Sequence, residues 1–206
     1  MKRFIQYLHN DLYLEFFCLI LFVLSFCFEP ILEVFKGYGK ILTSSSILLT
    51  DYVYVGGLGA TMFNVATILL FNLVMLKLLK VKISGPVYCG IILIAGFSFF
   101  GKNIMNTLPI YFGIWLYSKF KKIPFQSLII VLLFSTGISP LVSYTIFGLN
   151  LPYYISIPLG LFSGIVVGFI LPAYASHTMV FHQGYNLYNI GFALGIISAI
   201  FYALYR

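Results

Sequence analysis

The segment SHTMVFHQGYNLYN, residues 176–189, carries His177, His182, Gln183, Asn186 and Asn189 but no charge, between two very apolar runs. Two other segments likewise mix Gly or Pro with amide side chains beside an apolar run. DYVYVGGLGATMFN, residues 51–64, ends on Asn64, and GKNIMNTLP, residues 101–109, carries Lys102, Asn103 and Asn106. Uncharged amides and imidazoles hydrogen-bond a polar solute without trapping an ion. The chemistry they suit is therefore recognition or passage of a small neutral or anionic molecule. On a helix, His182, Asn186 and Asn189 form one polar stripe, with Gln183 joining Asn186. If helical, Lys102, Asn106 and Asn103 share a face in the same way. Each pattern also has a plain structural reading. The first fits an interhelical hydrogen-bond cluster. The second fits a helix cap at Asn103 beside a lysine that reaches back to the interface.

Other chemistries lack their residues. All five acids, Asp11, Glu15, Glu29, Glu33 and Asp51, lie in the first quarter of the chain. Paired-carboxylate acid–base work and carboxylate cation sites have nothing to build on after residue 51. His177 and His182 are five residues apart and diverge on a helix, with no carboxylate or cysteine nearby to complete a metal site. Cys18, Cys27 and Cys89 lie inside apolar stretches and read as small buried hydrophobes. No nucleophile-and-base pair, P-loop or HExxH occurs. The sequence thus points to no enzyme, no catalytic residue, no metal and no cofactor.

The elements that position these residues must be membrane helices. Of the 206 residues, 61% are hydrophobic and 8% charged, against about 25% charged in soluble domains. Apolar runs of about 18 residues or more recur, the length a bilayer core requires. The expected fold is an all-α polytopic bundle of about 6–7 helices, with re-entrant or broken segments. It forms a single integral membrane domain over residues 1–206. Residues 1–51 supply a first helix and a polar loop, and 52–206 the core helices. Helices are expected near 12–28, 52–76, 83–100, 104–117, 124–147, 152–175 and 187–205, the fifth bent at Gly137 and Pro140. Residues 83–118 scarcely suffice for two spans, so Gly101–Lys102–Asn103 makes either a tight external turn or a dip into the membrane. A dipped Lys102 would need a wet vestibule or an anionic ligand.

The net charge of +7 reports orientation and gives no nucleic-acid signal. With the N-terminus in the cytoplasm, Lys2, Arg3 and the clusters Lys77/Lys80/Lys82 and Lys119/Lys121/Lys122 lie inside. Lys36, Lys40, Lys102 and Arg206 fall outside, so eight of the twelve cations support this arrangement. Small residues at four-residue spacing, Gly160/Gly164/Gly168 and Gly191/Gly195 continuing to Ala199 and Ala203, predict close helix packing.

The runs LLTDYVYVGGLGATMFN, SGPVYCGIILIAGFSFFGKNIMNTLPI and HQGYNLYNIGFALGI resemble an uncharacterised bacterial membrane family, a domain of unknown function. The resemblance extends from about Ser44 to Arg206. It rests on Asp51, Gly56, Gly57, Asn64, Gly85, Pro86, Gly101, Lys102, Asn103, Asn106, Pro109, His182, Gln183, Gly184, Asn186 and Asn189. Family members are about twice this length and repeat the DY…GG…N and GP…GF..FGK…N..P patterns. The resemblance implies that this chain is one half, completed by a copy of itself or by a second homologous half. It implies a multi-pass protein of the bacterial cytoplasmic membrane and supplies no substrate. The function that follows is a transporter or channel-like protein for a small polar solute, in contact with the lipid bilayer. Asn64, Lys102, Asn103, Asn106, His182, Gln183, Asn186 and Asn189 would line the path. The alternatives are a substrate-binding subunit of a larger transporter and an assembly protein without transport.

Overall fold

The computed structural model describes residues 2–47, 50–183, 185 and 188–205, with residues 2–11 and 179 by backbone only. The chain is all-α: 81% of it is helical. The described helices are α1 (Lys2–Phe28), α2 (Ile31–Leu42), α3 (Tyr52–Gly56), α4 (Leu58–Leu78), α5 (Gly85–Phe97), α6 (Ile104–Lys121), α7 (Ile129–Ser135), α8 (Pro140–Phe147), α9 (Tyr153–His182) and α10 (Asn189–Leu204). Two of them, α4 and α9, are long and apolar enough to cross a membrane; counting the bent pairs α1–α2 and α7–α8 as one span each brings the number to four. The chain divides into two compact units, Met1–Ser44 with Thr50–Ile104, and Ser45–Leu49 with Met105–Arg206.

In the first unit, α1 ends at Glu29-Pro30 and the chain turns through 112° into α2. Pro30 lacks a backbone N–H and clashes with a continuing helix, so it ends α1 and starts the next element. Within residues 29–51, expected as a loop or a loop holding a short interfacial helix, residues 31–42 are helical. Their apolar positions Val34, Gly37 and Ile41 recur at helical spacing and are buried. The few charges that resemble loop composition lie on the opposite face, where Lys36 and Glu33 pair at 3.0 Å. Phe63 of α4 is the hub that α1 and α2 wrap. Its ring meets Phe22 and Phe26 of α1 and Phe35 and Tyr38 of α2, with centroids 5.1–5.9 Å apart. Each such edge-on pair contributes about 0.5–1.5 kcal/mol beyond burial. Lys77 and Glu15 add an ion pair between α4 and α1.

The second expected helix is broken. Asp51 caps α3, its Oδ1 accepting from the N–H of Val53 at 2.9 Å and of Tyr54 at 3.2 Å. Gly57 then takes φ +94°, which ends α3 and starts α4. A side chain there would be strained and would run into the Glu29 carboxylate.

In the second unit, the break expected at Gly137 and Pro140 is present. A 3₁₀ turn over Thr136–Ile138 separates α7 from α8, which bend by 40°. The stripe Gly160/Gly164/Gly168 packs α9 closely. A Cβ on Gly160 would press into Ile146 of α8, on Gly164 into Pro109 and Val142 at 2.8 Å, and on Gly168 into the Ile110 carbonyl of α6. Glycine lets these backbones approach where lipid supplies no hydrophobic drive.

The α10 stripe behaves differently. Gly195, Ala199 and Ala203 are exposed, and nothing lies within 4 Å of a Cβ placed on Gly195. The atoms nearest a Cβ placed on Gly191 belong to the ring of nearby Tyr188. The buried residues, Ala193, Leu194 and Ile197, occupy the other side of the helix. Small-residue spacing names a face, but the side chains that fill the interior decide which face turns inward. Gly168→Ala should therefore cost about 1–3 kcal/mol, the usual penalty of overpacking, and lower the melting temperature in detergent. Gly195→Ala should change stability by no more than about 0.5 kcal/mol.

Candidate functional site

Three interruptions of helix meet in the first unit: the α1–α2 bend at Glu29-Pro30, the α3–α4 break at Gly57 and the linker 98–103 that follows α5. Glu29 joins the first to the second, its carboxylate lying against Gly57 and Gly59 at the start of α4. Backbone joins the second to the third. Asp51 and Phe100 form an isolated antiparallel bridge, and the Tyr52 N–H donates to the Phe99 carbonyl at 3.2 Å. Gly101, at φ +91°, turns the linker toward α6 in a conformation that favours glycine.

Two asparagines hold this junction. The Asn64 amide nitrogen donates to the carbonyls of Ser98, at 2.8 Å, and Lys102, at 2.9 Å. The Asn103 amide nitrogen donates to the Tyr52 hydroxyl at 2.9 Å and to the Ile41 carbonyl at 3.3 Å. Both asparagines are fully buried. The carbonyls they meet belong to backbone at or beside a helix interruption, which must find donors when water is absent. Among the described residues, no donor meets the Asn64 Oδ1. Between these asparagines lies Lys102, only 2% exposed. Its ammonium lies 5.3 Å from the centre of the Phe97 ring.

Asn64, Lys102 and Asn103 thus belong to one buried junction. The shared helical face expected for Lys102, Asn103 and Asn106 does not form, because α6 begins at Ile104 and leaves the first two in the linker. Asn106, in the second unit, donates from its amide nitrogen to the Ser143 hydroxyl of α8 at 2.9 Å.

The polar stripe over 182–189 is also corrected. Helix α9 stops at His182, and Gln183 takes a left-handed conformation with its side chain exposed. His182 and Asn189 come together from the end of α9 and the start of α10, without helical spacing. The His182 Nε2 lies 2.7 Å from the Asn189 Oδ1, the Thr178 hydroxyl donates to the same oxygen at 2.9 Å, and the Asn189 amide nitrogen donates to the Ala175 carbonyl at 2.6 Å. This cluster fastens the first residue of α10 to the last turns of α9. Asn186 and Gly184 lie outside the described residues, and His177 is exposed on α9. Among the described residues, no three His, Cys, Asp or Glu side chains gather where they could hold a metal ion.

A model of the family described as "Protein of unknown function (DUF1576)" matches residues 31–206. The chain belongs to this family. The match takes in α2 through α10, and with them every residue of the junction except Glu29 and Pro30. No curated protein and no solved structure matches the chain.

Sequence reasoning missed Tyr52 and Glu29 as parts of the junction. The pairing of Tyr52 with Asn103 spans 51 residues and leaves no local pattern. Glu29 carried a signal, as one of five acids and the residue before Pro30. Removing the Asn64 donor while keeping its bulk, as in Asn64→Leu, leaves two buried carbonyls without that partner. The expected cost is about 2 kcal/mol or more, seen as a melting temperature about 5 °C or more lower in detergent. An unchanged melt would contradict the role assigned to Asn64.

Proposed function

We propose that this protein carries or conducts a small polar solute, neutral or anionic, across a membrane, and that Lys102 and Asn64 lie on its path. The observation that supports this most is the meeting of three helix interruptions around a buried lysine. Irregular backbone inside a membrane protein is tolerated where protein buries it or where it lines a cavity, and broken helices of this kind commonly frame transport sites. An intramembrane lysine is costly unless it serves a partner or a passing ligand. Asn64 adds a buried acceptor with no protein donor among the described residues, suited to an N–H or O–H of the solute or to water. His182 and Asn189 then act as a structural clasp, and Asn106 ties α6 to α8.

In this reading the protein is a multi-pass member of a bacterial cytoplasmic membrane with its N-terminus in the cytoplasm. It works as half of a larger arrangement, completed by a second copy or a homologous half. One specific observation favours an assembly role instead: the amide donors of Asn64 and Asn103 already meet protein acceptors. A transport assay separates the two. Proteoliposomes are challenged by stopped flow with urea, glycerol and, with valinomycin as charge shunt, potassium chloride and potassium phosphate. At least one solute should enter faster than into protein-free vesicles. Lys102→Met should slow that entry about tenfold, the effect of about 1.4 kcal/mol at the barrier. Entry no faster than in empty vesicles for every solute, or unaffected by Lys102→Met, would favour the assembly role.

A further inference from the structure

The second unit contains a cavity of about 470 Å³ that none of the residues discussed above as solute-path candidates lines. It lies where the helical run of α7 and α8 is interrupted. Gly137 contributes no side chain to it, and Pro140, Leu141 and Tyr144 form one wall. Ser198 and Tyr202 of α10, with Tyr205 just past its end, form another, beside the buried face of that helix. Ser46 and Ile47 complete the lining.

The wall chemistry is consistent. No residue lining the cavity carries a charge, and most present carbon. A charged ligand would lose hydration with nothing to replace it. The Tyr205 hydroxyl is already engaged, 2.7 Å from the Ser163 hydroxyl and accepting from Thr145 at 3.1 Å, which fixes its ring as wall. Tyr144, Ser198 and Tyr202 bring further hydroxyls. The volume lies within the usual range of small-molecule sites, about 300–1,000 Å³, where an apolar lining with a few polar groups is the normal pattern. Taking a methylene as roughly the size of a water molecule, about 30 Å³, the cavity holds a chain on the order of a dozen carbons with a small head. The surrounding surface of α10 is itself apolar, with Ile200 and Leu204 exposed, so such a ligand can approach without crossing a polar barrier.

We infer that the cavity between the α7–α8 break and α10 binds an uncharged single-chain amphiphile, its apolar chain against Leu141 and the tyrosine rings and its hydroxyl or carbonyl head among the wall hydroxyls. This site is separate from the junction around Lys102 and does not depend on the solute-carrying role.

The test uses the full chain in phosphatidylcholine nanodiscs and a twelve-carbon alcohol bearing a terminal diazirine. After irradiation, labelled peptides are quantified by mass spectrometry. Labelling of peptides covering 137–144 and 198–205 should saturate and should be displaced by unlabelled dodecan-1-ol, but not by dodecyltrimethylammonium. Ser198→Phe, which fills the cavity from an exposed position, should reduce it about tenfold, equivalent to about 1.4 kcal/mol. Ile200→Phe, outside the cavity, should leave it unchanged. Non-saturating labels spread evenly over exposed positions such as Leu161 and Phe162 of α9 would overturn the assignment. Equal displacement by the cationic competitor would overturn the uncharged class. If Ser198→Phe does not fold, saturation and competition in the unmodified protein decide the matter.

Discussion

A helix that stops inside an apolar protein leaves carbonyls and N–H groups that water cannot reach, and each must find a partner within the chain. The folding of this protein is organised around that requirement. In the first unit the donors come from asparagines distant in sequence. Asn64 reaches the carbonyls of Ser98 and Lys102, and Asn103 reaches that of Ile41. In the second unit an asparagine plays a different part: Asn189 donates to the Ala175 carbonyl inside α9 and ties the start of α10 to that helix. An amide suits the task because it offers two donors and an acceptor without the desolvation cost of a charge.

This constraint connects the junction to the proposed activity. Continuous helices would satisfy their own backbones and would need no buried asparagines. Interrupting three elements at one place makes such partners necessary and gathers irregular backbone, amides and Lys102 in a buried region. Those are also the ingredients from which a polar solute site can be made. Asn64 stands at the overlap, with its nitrogen committed to architecture and its Oδ1 meeting no donor among the described residues. The second unit applies the same device with a different result. Its break at Gly137 and Pro140 opens beside α10 onto tyrosine rings and apolar side chains, and the space suits an uncharged amphiphile.

Much of the architecture was legible in the sequence, for identifiable reasons. Apolar runs located the long helices, because a bilayer-compatible helix must be apolar over most of its length. Gly137 and Pro140 announced their break through backbone chemistry. The three polar segments were recognisable as interruptions, and two of them, 51–64 and 101–109, contribute to one junction. What failed was the periodicity drawn across those interruptions. Stripes through 182–189 and 102–106 assumed unbroken helix, yet α9 stops at His182 and α6 begins only at Ile104. Within 29–51, read as a loop with room for a short interfacial helix, the helix proved to be 31–42: its charges lie on one face and its other face packs on α4. Long-range partners such as Tyr52 for Asn103, and the cavity wall of Tyr144, Tyr202 and Tyr205, had no local signature, since an isolated tyrosine in an apolar run reads as core or lipid contact.

The central claim is that the interruptions at 51–57 and 98–103 are satisfied by one another and by Asn64 and Asn103. Hydrogen–deuterium exchange of the full chain, resolved to peptides over these segments, tests it most directly, because exchange reports the opening of backbone hydrogen bonds. The account predicts that the Tyr52 amide and its neighbours exchange nearly as slowly as the interior of α4. Exchange at the rate of an open, solvated loop, with α4 still protected, would contradict it.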